Sequence, residues 1–428
     1  MSSEEGTLNV YHSCLASIVG EENLIYDWDK QVNLAISPGN LPACVVYPQS
    51  QEQLAQVITE ANRNKWRVLP CGNGSKLKWG SLAKGIDIVV STQRLNKIIN
   101  HAVGDLTLTV EAGVKFADIQ TNLTENKQIF ALDPTSPDLA TIGGIIATSD
   151  TGSLRQRYGS VRDQLLGVTF VRADGKIARA GGRVVKNVAG YDLMKLFTGS
   201  YGTLSIITEA TFRLYPMQSA SGTVMLTGSK EAISQAADTL RGSALTPTQA
   251  DLLSSQLVSS MGLGQGLGLI VRFESIPESV KEQLNQVLKV GEKLELTGVV
   301  YSDTEEADLW RRLPEQIHLP ESESAITCKI GILPNAAVEV LDQGNLGLIH
   351  IASGLGILRI EDEQRVLEMR KLCERWGGFL TILSAPVEVK QKLDVWGYSG
   401  NGLELMKQIK KQFDAENILS PGRFVGGI

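Results

Sequence analysis

Residues 133 to 209 read DPTSPDLATIGGIIATSDTGSLRQRYGSVRDQLLGVTFVRADGKIARAGGRVVKNVAGYDLMKLFTGSYGTLSIITE, from Asp133 to Glu209. Eleven of the 60 residues from Gly143 to Gly202 are glycine, more than twice the ordinary usage of roughly 7%. They interrupt apolar runs and form no low-complexity tract. Glycines placed so serve turns and close approaches of bare backbone to something flat or anionic.

Upstream, Val45, Val46 and Tyr47 form a short strand ending at Pro48. Ser50 is a good N-cap, Gln53 completes a capping box, and Leu54, Val57, Ile58 and Ala61 recur at helical spacing. A strand over 66–70 then delivers the chain to Cys71-Gly72-Asn73-Gly74-Ser75. Two glycines and an asparagine after a strand permit positive φ, so successive amides can converge on an anion such as a pyrophosphate; a plain tight turn is the alternative. Leu77 stands where the dinucleotide fingerprint needs its third glycine, and the Walker A ending is absent.

Strands are expected over 86–91 and, half-exposed, over 106–111, followed by a helix carrying Phe116, Ile119 and Leu123. Asp133-Pro134-Thr135-Ser136-Pro137 reads as a rigid loop. In Thr141-Ile142-Gly143-Gly144, the paired glycines admit a ring or phosphate, or else close helix–helix packing through small residues. Thr148, Ser149 and Gly152 offer hydroxyls and a bare amide. Residues 167–180 read as a hairpin with a type I′ turn at Asp174-Gly175. After Pro216, strands (223–226, 267–273, 346–351) alternate with helices (231–240, 278–288, 363–377), and 242–268 is expected to hold a helix between loops. Residues 403–413 form an amphipathic helix stopped by Pro421-Gly422.

A chain of 428 residues, 43% hydrophobic and 21% charged, has a globular composition with room for two or three domains. Its net charge of −6 gives no basic stripe for nucleic acid. The acidic, polar opening MSSEEGTLNV is no signal peptide, and the uncharged run 252–271 is broken by Ser, Gln and Gly, so no transmembrane segment is expected. Five cysteines without a C-x-x-C pair point to reduced thiols, a cytoplasmic setting and no iron–sulfur cluster. Histidines 12, 101, 318 and 350 are far apart, so no metal site is expected.

The order of four motifs is more specific than any one: the strand-ending G-N-G-S loop, T-I-G-G-x-x-A-T, G-x-V-x-K-N-V-A-G-Y-D-L, and G-T-L-x-I-I-T-E. Over roughly 41–216 the chain resembles the FAD-binding domain of the vanillyl-alcohol oxidase / p-cresol methylhydroxylase superfamily. Its K-N-V-A-G-Y-D-L block and its Phe413-Asp414 and Pro421-Gly422-Arg423 ending resemble the E subunit of glycolate dehydrogenase (glycolate oxidase). The resemblance implies an α+β fold: a two-lobed FAD-binding domain (38–218) after an N-terminal segment (1–37), an α+β cap (219–394), and a C-terminal return (395–428). It implies FAD held by Pro70 to Ser75, Asp133, Pro134, Thr141, Ile142, Gly143, Gly144, Ala147, Thr148, Ser149, Gly152, Ile206 and Ile207. Cys71 stands where the family often has Arg, and Ala415 and Ser420 replace the usual Pro and Asn. No His follows the pyrophosphate loop, so the FAD is expected to be non-covalent.

The implied activity is oxidation of a small 2-hydroxy acid, glycolate or D-lactate, beside a D-type flavoprotein subunit and an iron–sulfur F-type subunit. Any membrane association would be peripheral, through those partners. Such a site needs a cation for the carboxylate and a base for the hydroxyl. Lys186, Tyr191, Arg157 and His350 are the candidates, each with an ordinary structural role as the alternative. The D subunit's histidine-rich metal motifs are absent from this sequence. That leaves open an assembly subunit with a non-catalytic flavin site, or an independent oxidase of another alcohol.

Overall fold

Ser50 starts the first long helix for a local reason. Its hydroxyl oxygen accepts the Gln53 N–H at 3.2 Å, and Leu54, Val57, Ile58 and Ala61 are fully buried, so Gln51–Asn64 packs one face on a sheet. The expected capping box closes one residue early: Gln53 Oε1 accepts from the Gln49 N–H at 2.8 Å, with Ser50 extended at φ −145°.

The computed structural model describes residues 3–27, 30–39, 41–182, 191–318 and 325–428. They fall into two units, Met1–Thr151 with Ser160–Pro216 and Tyr398–Ile428, and Gly152–Gly159 with Met217–Gly397.

The first unit carries two main sheets. In one, Leu24–Ile25, Cys44–Val46, Ile88–Ser91 and Val68–Cys71 lie in that order. The last three are parallel, with Ile88–Ser91 between the others. Their near-continuous apolar sequence is what a strand buried on both faces requires. The C-terminal segment adds to the free edge of Val68–Cys71: Val68 N–H donates to Ile418 O at 2.7 Å and Ser420 N–H to Val68 O at 2.8 Å. The other sheet is antiparallel: Ile98–Ala102, Thr107–Glu111, Ser205–Arg213, Leu165–Arg172 and Ile177–Gly181. Val171 and Ile206 of this sheet share a core with Val46, Val68 and Val90 of the first.

Two local expectations are corrected here. Thr107–Glu111 is buried on both faces, because it is an inner strand and its polar residues pair across the sheet, Thr109 Oγ1 to Thr211 Oγ1 at 2.9 Å. The hairpin turn is not type I′. Gly175 takes a φ of 80° while Asp174 stays negative, and Gly175 N–H returns to Arg172 O at 2.9 Å. That is the three-residue loop with one left-handed glycine.

The second unit is built on one antiparallel eight-stranded sheet. Its order is Thr297–Tyr301, Ala220–Gly228, Leu267–Ser275, Gln249–Leu253, Leu346–His350, Leu355–Ile360, Ile326–Gly331 and Phe379–Ser384. Helices Lys230–Arg241, Pro277–Lys293 and Glu363–Arg375 supply residues to the larger core, and Ser255–Ser260 and Asp303–His318 to a smaller one. The stretch 242–268 therefore differs from expectation. It contains a central strand and only a six-residue helix. All five residues of Gln249–Leu253 are buried, which erases the alternation that would have marked a strand.

Candidate functional site

The site lies wholly in the first unit, where Val68–Cys71 ends. Thr92 Oγ1 donates to Cys71 O at 3.3 Å and Ser91 Oγ to Gly72 O at 2.9 Å. A trans peptide holds its N–H opposite its C=O, so the Gly72 and Asn73 amides point away from the strand those hydroxyls occupy. Among the described residues, no main-chain N–H from Gly72 to Lys76 donates to a protein acceptor. Gly74 is left-handed, φ 78°. The Asn73 side chain spans its neighbours, donating to Leu139 O at 3.3 Å and accepting from Gln93 Nε2 at 2.8 Å. Five consecutive uncommitted amides on an anchored loop make an anion nest.

The paired glycines of the second motif divide the two readings between them. Gly143 N–H donates to Ala112 O at 2.8 Å, and a Cβ there would meet Ala112 Cβ at 3.0 Å, so Gly143 serves packing. Gly144 lines the cavity, and a Cβ there would meet only Thr141 Oγ1, at 3.3 Å. Thr148 also lines the cavity, but its hydroxyl donates back to Gly144 O at 2.8 Å. Its proton is committed to its own helix.

The lining surrounds about 710 Å³ of space, open solvent at its mouth included. Of the expected cofactor residues, Pro70 to Ser75, Thr141, Gly143, Gly144, Ala147, Thr148, Ile206 and Ile207 line it together. Asp133, Pro134, Ile142, Ser149 and Gly152 do not. Ile142 is a core residue, Pro134 is buried, and Ser149 is the left-handed end of helix Ile142–Thr148. Gly152 belongs to the second unit. The carboxylate beside the loop is Asp150, not Asp133. Asp150 Oδ2 lies 3.1 Å from Lys76 Nζ and accepts the Thr135 N–H at 2.8 Å.

Several lining residues escaped the sequence reading: Lys76, Leu77, Thr92, Ser200, Tyr201, Gly202, Ser205 and Arg423. Lys76 and Leu77 directly follow the G-N-G-S loop and could have been found by extending it. Burial pushes the Cys71 thiol up to about 11 and raises Tyr201 likewise, so both stay neutral at ordinary pH. Tyr201 is itself left-handed, φ 54°, a sparsely populated conformation for a large side chain.

Of the four expected catalytic residues, three lie among the described residues, one in the first unit and two in the second. Lys186 lies outside the described residues. Tyr191 is 89% exposed in the first unit. Arg157 is exposed on the short helix Arg155–Tyr158 of the second unit. His350 is buried there, at the end of its strand, with Nδ1 2.6 Å from Asp251 Oδ1. Asp251 Oδ2 accepts from Ser153 Oγ. The serine bonds the carboxylate and not the imidazole, so this is no nucleophile–base relay.

FAD is tested by what the cavity leaves unsatisfied. Ser205 lines it, and its buried hydroxyl has no hydrogen-bond partner. The Gly72–Lys76 amides are uncommitted, Gly144 is bare, and Ile206 and Ile207 supply apolar wall. A dinucleotide with a diphosphate and a flat ring satisfies each of these.

Comparison with known proteins agrees. Residues 42–181 match the family described as FAD binding domain. The chain is 26% identical to glycolate oxidase subunit GlcD of Bacillus subtilis (strain 168), over 96% of this chain and 95% of that protein. It is also 26% identical to the mitochondrial cytochrome-type D-lactate dehydrogenase of Arabidopsis thaliana, over 95% and 78%. Its fold matches that of substrate-bound p-cresol methylhydroxylase with a TM-score of 0.72, at 17% identity, over 98% of this chain and 97% of that one. With the glycine loops and the cavity in place, residues 42–181 match the FAD binding domain family, and the chain shares the fold of p-cresol methylhydroxylase.

Proposed function

We propose that the chain binds FAD non-covalently and serves as the flavoprotein subunit of a complex that oxidises a small 2-hydroxy acid, glycolate or D-lactate, to the 2-oxo acid. The five uncommitted amides of Gly72–Lys76, in one cavity with the orphaned Ser205 hydroxyl, carry this reading. The loop amides hold the diphosphate, Gly144 lets bare backbone meet the cofactor, and Ile206 and Ile207 keep water from it. A bound flavin supplies acceptance of the two electrons and the hydrogen leaving the hydroxyl-bearing carbon.

Lys186, Tyr191, Arg157 and His350 remain the candidates for gripping the carboxylate and taking the hydroxyl proton. Asp251 favours His350 as the base, since a carboxylate on Nδ1 fixes the ring's tautomer and orientation. The D-type flavoprotein and the iron–sulfur F-type subunit are the proposed partners. No helix among the described residues is long and apolar enough to cross a membrane, and any attachment would run through those partners. An assembly role is the second reading, favoured by four widely separated histidines that leave this chain without a histidine-rich metal motif of its own. Flavin absorbance of the purified chain, then its bleaching by glycolate or D-lactate with and without the partners, separates the readings. Bleaching by either acid supports catalysis. A bound flavin that no acid reduces in any combination leaves the assembly role.

A further inference from the structure

Arg423 is 4% exposed, yet no carboxylate pairs with it among the described residues. Its guanidinium donates to three main-chain carbonyls, Ala35 O at 3.3 Å and Ser81 O at 3.4 Å through Nη1, and Leu77 O through Nη2. Those bonds use three of five N–H donors and leave the positive charge without a counter-charge. Burial holds its pKa down to about 10, as expected of a cation the protein does not compensate. A buried charge with no partner is costly.

The cation sits at the anion nest. It lines the same cavity. Leu77, which takes its Nη2 bond, closes a turn on Gly74, N to O 3.0 Å. Lys76, the other cation in the lining, is already neutralised by Asp150. Arg423 also belongs to the C-terminal segment laid along Val68 and residues 81–84: Lys84 N–H donates to Pro421 O at 2.8 Å and Ser81 N–H to Arg423 O at 3.2 Å.

We propose that Arg423 is the charge clamp for the diphosphate of the bound dinucleotide, and that the diphosphate in turn locks residues 418–424 onto the first unit. This rests on the FAD-binding reading and extends it to cofactor-dependent closure of the C-terminus. A merely structural arginine would hold its three carbonyls equally well with or without ligand.

The test uses the full chain stripped of flavin, with four probes: FAD, ADP, inorganic pyrophosphate and riboflavin. Hydrogen exchange over 418–424 should slow with the three diphosphates and not with riboflavin. Arg423→Gln should lose on the order of tenfold or more in affinity for ADP and FAD, and Arg423→Lys, which keeps the charge, markedly less. If Arg423→Gln does not fold, the exchange result on the unaltered chain decides. Unchanged exchange at 418–424 with every diphosphate overturns the proposal, as does a folded Arg423→Gln that binds ADP within about threefold of the parent. In those cases FAD binding by the parent still stands. If ADP and pyrophosphate protect the segment but FAD does not bind, the clamp survives and the flavin reading fails.

Discussion

Gly72 has no room for a side chain because the Thr141 hydroxyl occupies the place: an ideal Cβ on Gly72 would stand 1.9 Å from Thr141 Oγ1. The two residues belong to the two glycine motifs, so the contact fixes how the anion nest meets the helix Ile142–Thr148. Gly72→Ala must push the motifs apart. Strain of this kind costs about 1–3 kcal/mol, so FAD affinity should fall by roughly tenfold to a hundredfold. Adding Thr141→Ala should restore part of it. Flavin-fluorescence titration of the single and double variants measures this, and an unchanged affinity in Gly72→Ala would refute the contact.

The neighbouring glycines should behave oppositely. Gly143→Ala places a methyl 3.0 Å from Ala112 Cβ and should lower the unfolding free energy measured in urea by about 1–3 kcal/mol, more than it alters binding per folded molecule. Gly144→Ala meets only Thr141 Oγ1, at 3.3 Å, and points into the cavity. Its melting temperature without ligand should stay near the parent's while FAD binding weakens. The reverse pattern would place the cofactor elsewhere.

These glycines were legible in the sequence for the reason they are useful: a missing Cβ at a strand end leaves a local trace. So was the helix after Ser50, because its cap and its buried face are both local. The eight-stranded sheet was not. Gln249–Leu253 is an inner strand buried on every residue, and Ile326–Gly331 and Phe379–Ser384 pair with partners distant in sequence. In the sequence, Arg423 stands out only as part of a C-terminal motif. Its approach to Leu77 depends on the chain's return along Val68, which no local pattern encodes. Asp251 and Ser153 were missed beside His350 for the same reason.

That C-terminal return depends on a second buried cation. Lys410 Nζ meets Asp414 Oδ2 at 2.6 Å, Thr203 O at 2.8 Å and Leu419 O at 2.8 Å. Lys410→Met leaves the Asp414 carboxylate, 2% exposed, with the Ile418 and Leu419 amides but no counter-charge, and should cost about 3–5 kcal/mol. Chemical denaturation checks this. A loss below about 1 kcal/mol, the worth of a surface pair, would contradict it.

In the second unit, Asp251→Asn removes the carboxylate charge and leaves one acceptor oxygen where His350 Nδ1 and Ser153 Oγ each had their own. Stability should fall by about 2–4 kcal/mol. If His350 is the base, the pH profile of substrate-driven flavin reduction should also shift. An unchanged profile with reduced stability would leave the pair a structural role alone.

Alkaline conditions should weaken the fold. Burial raises the thiols of Cys44, Cys328 and Cys373 from 9.0 to about 12 and that of Cys71 to about 11. Each is an acid whose neutral form the fold favours, so its contribution is full below pH 9 and is lost as pH climbs toward 11 to 12. The urea midpoint should drop between about pH 8.5 and about pH 10.5, and Cys328→Ala should flatten the slope. A midpoint that holds or rises would contradict this.

The most direct test of the central claim is equilibrium binding of FAD to the purified chain, followed by absorbance and by thermal melting. One flavin per chain is expected, with stabilisation of about 2.7 kcal/mol at a hundredfold excess over Kd. A chain that co-purifies without flavin and whose melting is unmoved by saturating FAD would contradict it.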